Sequence, residues 1–101
     1  MSFDSKLGKI SIGNDFPCFV VAEMSANHNG NLQKARSIIY GAASAGANAI
    51  KLQTYLPETM TIDCEKEYFK VQSKTGPQGW NQSLYNLYQS AHTPWEWHRE
   101  L

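Results

Sequence analysis

The sequence predicts an α/β fold organised around a parallel strand–helix–strand unit, and three observations predict it. Phe19-Val20-Val21-Ala22-Glu23-Met24 is a continuous apolar run interrupted only by a charge near its end. Leu32, Ala35, Ile38, Ile39, Ala42, Ala43 and Ala45 then recur at spacings near the helical period, with Gln33, Lys34, Arg36 and Ser37 turned away. Asn48-Ala49-Ile50-Lys51-Leu52-Gln53-Thr54 follows as a second strand pattern that finishes in polar groups. Unbroken apolar runs belong to strands buried on both faces, as parallel sheets require, rather than to half-exposed hairpin strands. The whole unit covers residues 19–54, enough for a βαβ crossover, whose strands run parallel and whose connection is right-handed.

The flanking elements follow from local chemistry. Gly8 to Ile12 reads as a short strand and Gly13-Asn14-Asp15 as a turn, giving a short N-terminal hairpin over residues 9–20. Asn27-His28-Asn29-Gly30-Asn31 is a loop by composition, with Asn31 placed to cap the helix and Gly46 placed to end it in a left-handed conformation. Gly41 sits mid-helix at a cost of ~1 kcal/mol relative to Ala, which predicts close packing there. Residues 55–82 interleave Pro57, Gly76, Pro77 and Gly79 with Asp63, Glu65, Lys66 and Glu67 and keep no period. Loops of that length are usually lids or binding loops. A second helical region opens over residues 83–101: Leu84, Tyr85, Leu87, Tyr88 and Ala91 form an apolar stripe. Thr93-Pro94-Trp95-Glu96 then reads as an N-cap, a first-turn proline and a capping box. That helix is cut short at Leu101, so the sequence predicts a truncated chain.

Composition narrows the function. A chain of 101 residues supports one modest core and one domain. Its nine basic and nine acidic residues cancel and do not cluster, which excludes the electrostatic footprint of a nucleic-acid or anionic-membrane binder. The N-terminus lacks the apolar stretch of a signal peptide. The longest apolar run, Pro17 to Ala22, is far below the ~20 residues that span a bilayer, so the predicted location is cytoplasmic. Cys18 and Cys64 stand apart, outside any C-x-x-C spacing, and both are expected reduced, Cys18 as a small core residue.

The chemistry should gather at the βα junctions, because the carboxyl ends of parallel strands face the ligand. Glu23 closes the first strand, and Lys51 and Gln53, two apart on the second, should share a face. An amine and an amide there are costly to bury unless an anionic, hydrogen-bonding group occupies the space. Glu23 and Lys51 are equally readable as a structural ion pair, and Lys51 as a Schiff-base lysine. His28 reads as a loop hydrogen-bonder, and His92 and His98, six apart across a helix start, do not have a metal-ligand spacing. Trp80, Trp95 and Trp97 read as packing residues. A small non-enzymatic α/β binding or assembly module is the alternative of another class.

The string Ala22-Glu23-Met24-Ser25-Ala26-Asn27-His28-Asn29-Gly30, then Ala45-Gly46-Ala47-Asn48-Ala49 and Lys51-Leu52-Gln53-Thr54-Tyr55, resembles the N-terminal barrel segment of the sialic acid synthase family over roughly residues 9–101. Met24-Ser25 and the stretch from Leu84 to His98 look most similar to the pseudaminic acid branch rather than the legionaminic or N-acetylneuraminate branches. The resemblance implies the N-terminal βαβ portion of a (β/α)8 TIM-type barrel, with the short hairpin at the barrel's bottom. It implies condensation of phosphoenolpyruvate with an amino sugar, a divalent metal, usually Mn2+, whose ligands lie beyond Leu101, and a homodimer when full length. It gives Glu23 a catalytic role near the acceptor and Lys51 a phosphoenolpyruvate contact, with Gln53 and Asn27 as further substrate-binding residues; His28 receives no catalytic role. On this reading the 101-residue piece alone is inactive.

Overall fold

A computed structural model describes residues 5–72 and 82–101. Strand β1 (Ser5–Leu7) pairs antiparallel with β2 (Ile10–Ile12), Leu7 opposite Ile10. Gly8 supplies φ +59 at the first position of the two-residue reversal, the position that a type II′ hairpin reserves for glycine. The hairpin therefore lies earlier than the 9–20 expected. Gly13 to Phe16 makes only a local turn, Phe16 N–H donating to the Gly13 carbonyl at 3.2 Å, and passes the chain forward.

Strand β3 (Val21–Glu23), helix α1 (Leu32–Ser44) and strand β4 (Ala49–Lys51) form the predicted parallel unit, in register Val21–Ala49, Ala22–Ile50 and Glu23–Lys51. Both strands are shorter than their apolar runs. At the entrance Asn48 completes the ladder: its Oδ1 accepts from Val20 N–H at 2.8 Å and its own N–H donates to the Val20 carbonyl at 2.8 Å. At the exit Met24 N–H donates to the Lys51 carbonyl at 3.1 Å.

Helix α1 starts and stops as its sequence dictates. Asn31 Oδ1 accepts from Lys34 N–H at 2.9 Å. At the other end Gly46 takes φ +90, its N–H reaches the Ala43 carbonyl, and Ala47 N–H reaches the Ala42 carbonyl. That pair of bonds is a Schellman motif, which satisfies carbonyls the helix end would otherwise strand. Ala35 is the fully buried residue of α1. Gly41 contradicts its expectation: a Cβ built there meets nothing within 4 Å among the described residues. Burial of β3 on both faces is also overturned, since Val20 and Val21 are 50% and 46% exposed. A two-stranded sheet with one crossover helix leaves a face uncovered among the described residues. Cys18, expected in the core, is exposed for the same reason.

Within the region expected to be a loop, residues 55–72 carry short regular elements. Pro57 at the first helical position opens α2 (Pro57–Met60), and a 3₁₀ turn at Glu67–Phe69 leads into β5 (Lys70–Val71). Strand β5 pairs antiparallel with β6 (Gln82–Ser83), Lys70 opposite Ser83. The readings of Gly76, Pro77, Gly79 and Trp80 lie outside the described residues. Helix α3 (Leu84–Ala91) is capped by Ser83, whose hydroxyl accepts from Asn86 N–H at 3.3 Å. The helix expected at Thr93 forms only a 3₁₀ turn, Trp95–Trp97, with no side-chain cap. Pro94 adopts ψ 138, so the backbone is still extended where a capping box needs its first helical residue. Trp95 is 54% exposed, not packed. No helix among the described residues is long and apolar enough to cross a membrane.

Candidate functional site

Glu23 and Lys51 end their strands side by side, and Lys51 Nζ lies 2.6 Å from Glu23 Oε1. The ion pair entertained from sequence is therefore real, and it is solvated: the side chains are 53% and 55% exposed. Such a pair contributes roughly 0–1 kcal/mol. Stability gives little reason to keep it, and both heads are open to a ligand at the carboxyl rim of the sheet.

The loop after β3 is held at two points, Met24 and His28, both fully buried. Between them Ser25 takes φ +51, and Asn29 and Gly30 follow at +48 and +68. A left-handed serine costs on the order of 1 kcal/mol, so the loop is kept in this shape by its surroundings. Asn27 is exposed, and its Nδ2 donates to the Met24 carbonyl at 2.9 Å while its N–H donates to the same oxygen at 3.2 Å. Part of its amide is thus spent on the loop, leaving its Oδ1 for other partners.

Gln53 falls two residues past the end of β4, so strand alternation does not carry it to the face of Lys51. Its carbonyl instead accepts from Thr93 N–H at 2.8 Å. That bond is one of several by which the C-terminal segment folds back on the rim. Thr54 Oγ1 meets His98 Nε2 at 2.5 Å, and Tyr55 packs edge-on against Tyr88 of α3 at 5.4 Å. Arg36 of α1 pairs with Glu100 at 3.0 Å. Trp97, a packing residue as expected, sets its ring edge-on to His28 at 5.2 Å and 75°.

His28 does hydrogen-bond its loop, its Nδ1 accepting from Gly30 N–H at 3.0 Å. Sequence reasoning missed its complete burial, because Trp97 lies far along the chain. Burial holds its pKa below the ordinary imidazole value, and electrostatic interaction with His92 and Lys34 pushes the same way. Tyr55 is shifted up, chiefly by burial and then by Tyr88. Among the described residues no three of His, Cys, Asp and Glu converge on a point that could hold a metal ion. The described residues therefore do not fit a metal site.

A parallel βαβ unit that offers an acid and an amine together at its carboxyl rim belongs to the class of α/β proteins whose ligands sit on that rim. Comparison with known proteins supplies the family. Residues 38–101 match the model of the NeuB family, and the chain belongs to that family. It is 44% identical to a pseudaminic acid synthase of Campylobacter jejuni over 91% of this chain and 27% of the relative. A pseudaminic acid synthase of Helicobacter pylori is 43% identical over 84% of this chain and 24% of the relative. Among solved structures, an N-acetylneuraminic acid synthetase from Leptospira borgpetersenii, in complex with citrate, superposes with TM-score 0.69 at 33% identity, covering 97% of this chain and 28% of that one. The chain spans about a quarter of the length of these relatives, 24–28%.

Proposed function

We propose that this chain supplies the first part of the active-site rim of a pseudaminic acid synthase, in which phosphoenolpyruvate condenses with 2,4-diacetamido-2,4,6-trideoxy-altrose. The observation that carries the proposal is the open Glu23–Lys51 pair at the strand ends, in a chain 44% identical to pseudaminic acid synthases over most of its length. In the reaction, C3 of phosphoenolpyruvate bonds to the carbonyl carbon of the open-chain sugar, water adds at C2, and phosphate leaves. The Lys51 ammonium suits the phosphate as a compact, strongly hydrated cation. Glu23, released from Lys51 when phosphate takes its place, can orient the attacking water or accept its proton. Asn27 and Gln53 flank this position in sequence and are assigned to the substrates. None of the described residues is assigned to the divalent metal, Mn2+, expected of the reaction.

The pseudaminic assignment is preferred over a legionaminic one because similarity to a diacetyllegionaminic acid synthase of Legionella pneumophila covers 48% of the chain, against 91% for the Campylobacter relative. Two strands are a small part of a barrel of eight, so the 101 residues alone are expected to be inactive. The test is an assay of the intact protein with phosphoenolpyruvate, with and without Mn2+, against the diacetamido-altrose and N-acetylmannosamine acceptors. Phosphate release with the altrose acceptor, and a raised KM for phosphoenolpyruvate in Lys51→Ala, are the expected results. Turnover of N-acetylmannosamine alone would reassign the acceptor, and an unchanged KM would remove Lys51 from the site.

A further inference from the structure

We propose that His28 is a positioning residue for the loop after β3, holding that loop through an uncharged ring protonated on Nε2, and that loss of this hold sets the acid limit of the reaction. The proposal rests on the synthase reading above. Its first support is the direction of one hydrogen bond. Gly30 N–H is a donor without alternative, so the ring nitrogen it meets at 3.0 Å must offer a lone pair. That fixes the ring proton on Nε2, which is buried and has no hydrogen-bond partner among the described residues.

The second support is what the ring braces. Met24 and His28 are the two fully buried side chains of the loop, and Ser25-Ala26-Asn27 is strung between them in a shape that includes a left-handed serine. Glu23 immediately precedes that span, and Asn27 immediately precedes His28. On the far side the ring meets Trp97, which carries no charge and belongs to the segment folded back over the rim. A second ring proton would set a donor on Nδ1 against the Gly30 donor. It would also place a cation in a buried site where the electrostatics of His92 after α3 and Lys34 of α1 disfavour one. The loop then has no reason to keep its shape.

Asparagine tests this, because its Oδ1 can stand where Nδ1 stands and accept from Gly30 N–H without titrating. In the intact protein His28→Ala should lower kcat on the order of a hundredfold, as loss of positioning does, with KM for phosphoenolpyruvate changing far less. His28→Asn should recover most of that rate above neutral pH and extend activity to lower pH than the wild type. An asparagine variant as slow as the alanine variant, or one with the wild-type acid limb, would overturn the proposal. Should the alanine variant fail to fold, the asparagine profile decides by itself. The imidazole 15N spectrum separates this inference from the functional reading. A wild-type protein with no synthase activity would sink the reading, whereas a ring proton found on Nδ1 would sink the positioning role whatever the activity.

Discussion

Glu23 and Lys51 are register partners on adjacent parallel strands, and their charged ends meet at 2.6 Å in the open. Two polar residues some thirty positions apart in sequence are thereby made neighbours by the backbone ladder alone. A double-mutant cycle of Glu23→Gln and Lys51→Met, read by urea denaturation without ligand, should give a coupling of about 0.2–1 kcal/mol that weakens with salt. A coupling of several kcal/mol would mean that the pair is dry and structural rather than available to a substrate.

One glycine inside α1 and another just past its end have opposite reasons for being there. At Gly41 the added methyl meets open space, so Gly41→Ala should stabilise the protein by roughly 0.5–1 kcal/mol. At Gly46 the backbone sits at φ +90, and Gly46→Ala should destabilise it by ~1–2 kcal/mol. Chemical denaturation of both variants checks the contrast; a shared sign would contradict the Schellman ending.

The cap at the other end of α1 is a single contact, Asn31 Oδ1 to Lys34 N–H at 2.9 Å. Asn31→Ala should cost ~1 kcal/mol and Asn31→Asp almost nothing, since an aspartate accepts the same bond and complements the helix dipole. Equal losses in the two variants would show that the side chain has another role.

Protonation of His28 links folding to pH. Its folded pKa is depressed by burial and by His92 and Lys34, while the unfolded ring titrates at about 6.5. The unfolded chain therefore binds more protons in the window between those two values. The contribution of the neutral ring to stability is whole above about pH 6.5 and is lost as pH falls through the folded pKa. Melting temperature against pH should fall across that window in the wild type and fall less in His28→Asn. A parallel decline in both would assign the loss to other groups.

The parallel unit was legible because its signals are local: apolar runs, a helical period, an asparagine cap and a glycine stop. Glu23 and Lys51 could be set at one rim from topology, since equal strand direction puts both ends on the same side. Gln53 could not, because a strand's end depends on which partner carbonyls remain, and the ladder closes at Met24 and Lys51. The reversed hairpin was misread because two glycines compete for the turn and only Gly8 has φ above zero. Burial of His28 and failure of the Thr93 cap have one cause, the return of the C-terminal segment onto the rim. That return is a contact between distant parts of the chain, which no local pattern encodes.

Asn48 stands at the mouth of the strand pair, gripping Val20 with both its side chain and its backbone. Each residue along a strand advances about 3.3 Å, and a slip by one also turns every side chain to the opposite face. Whether an amine and a carboxylate arrive together at the far end is thus decided upstream, by an amide at the opposite end of the strands. Alignment of the rim is a matter of where counting starts.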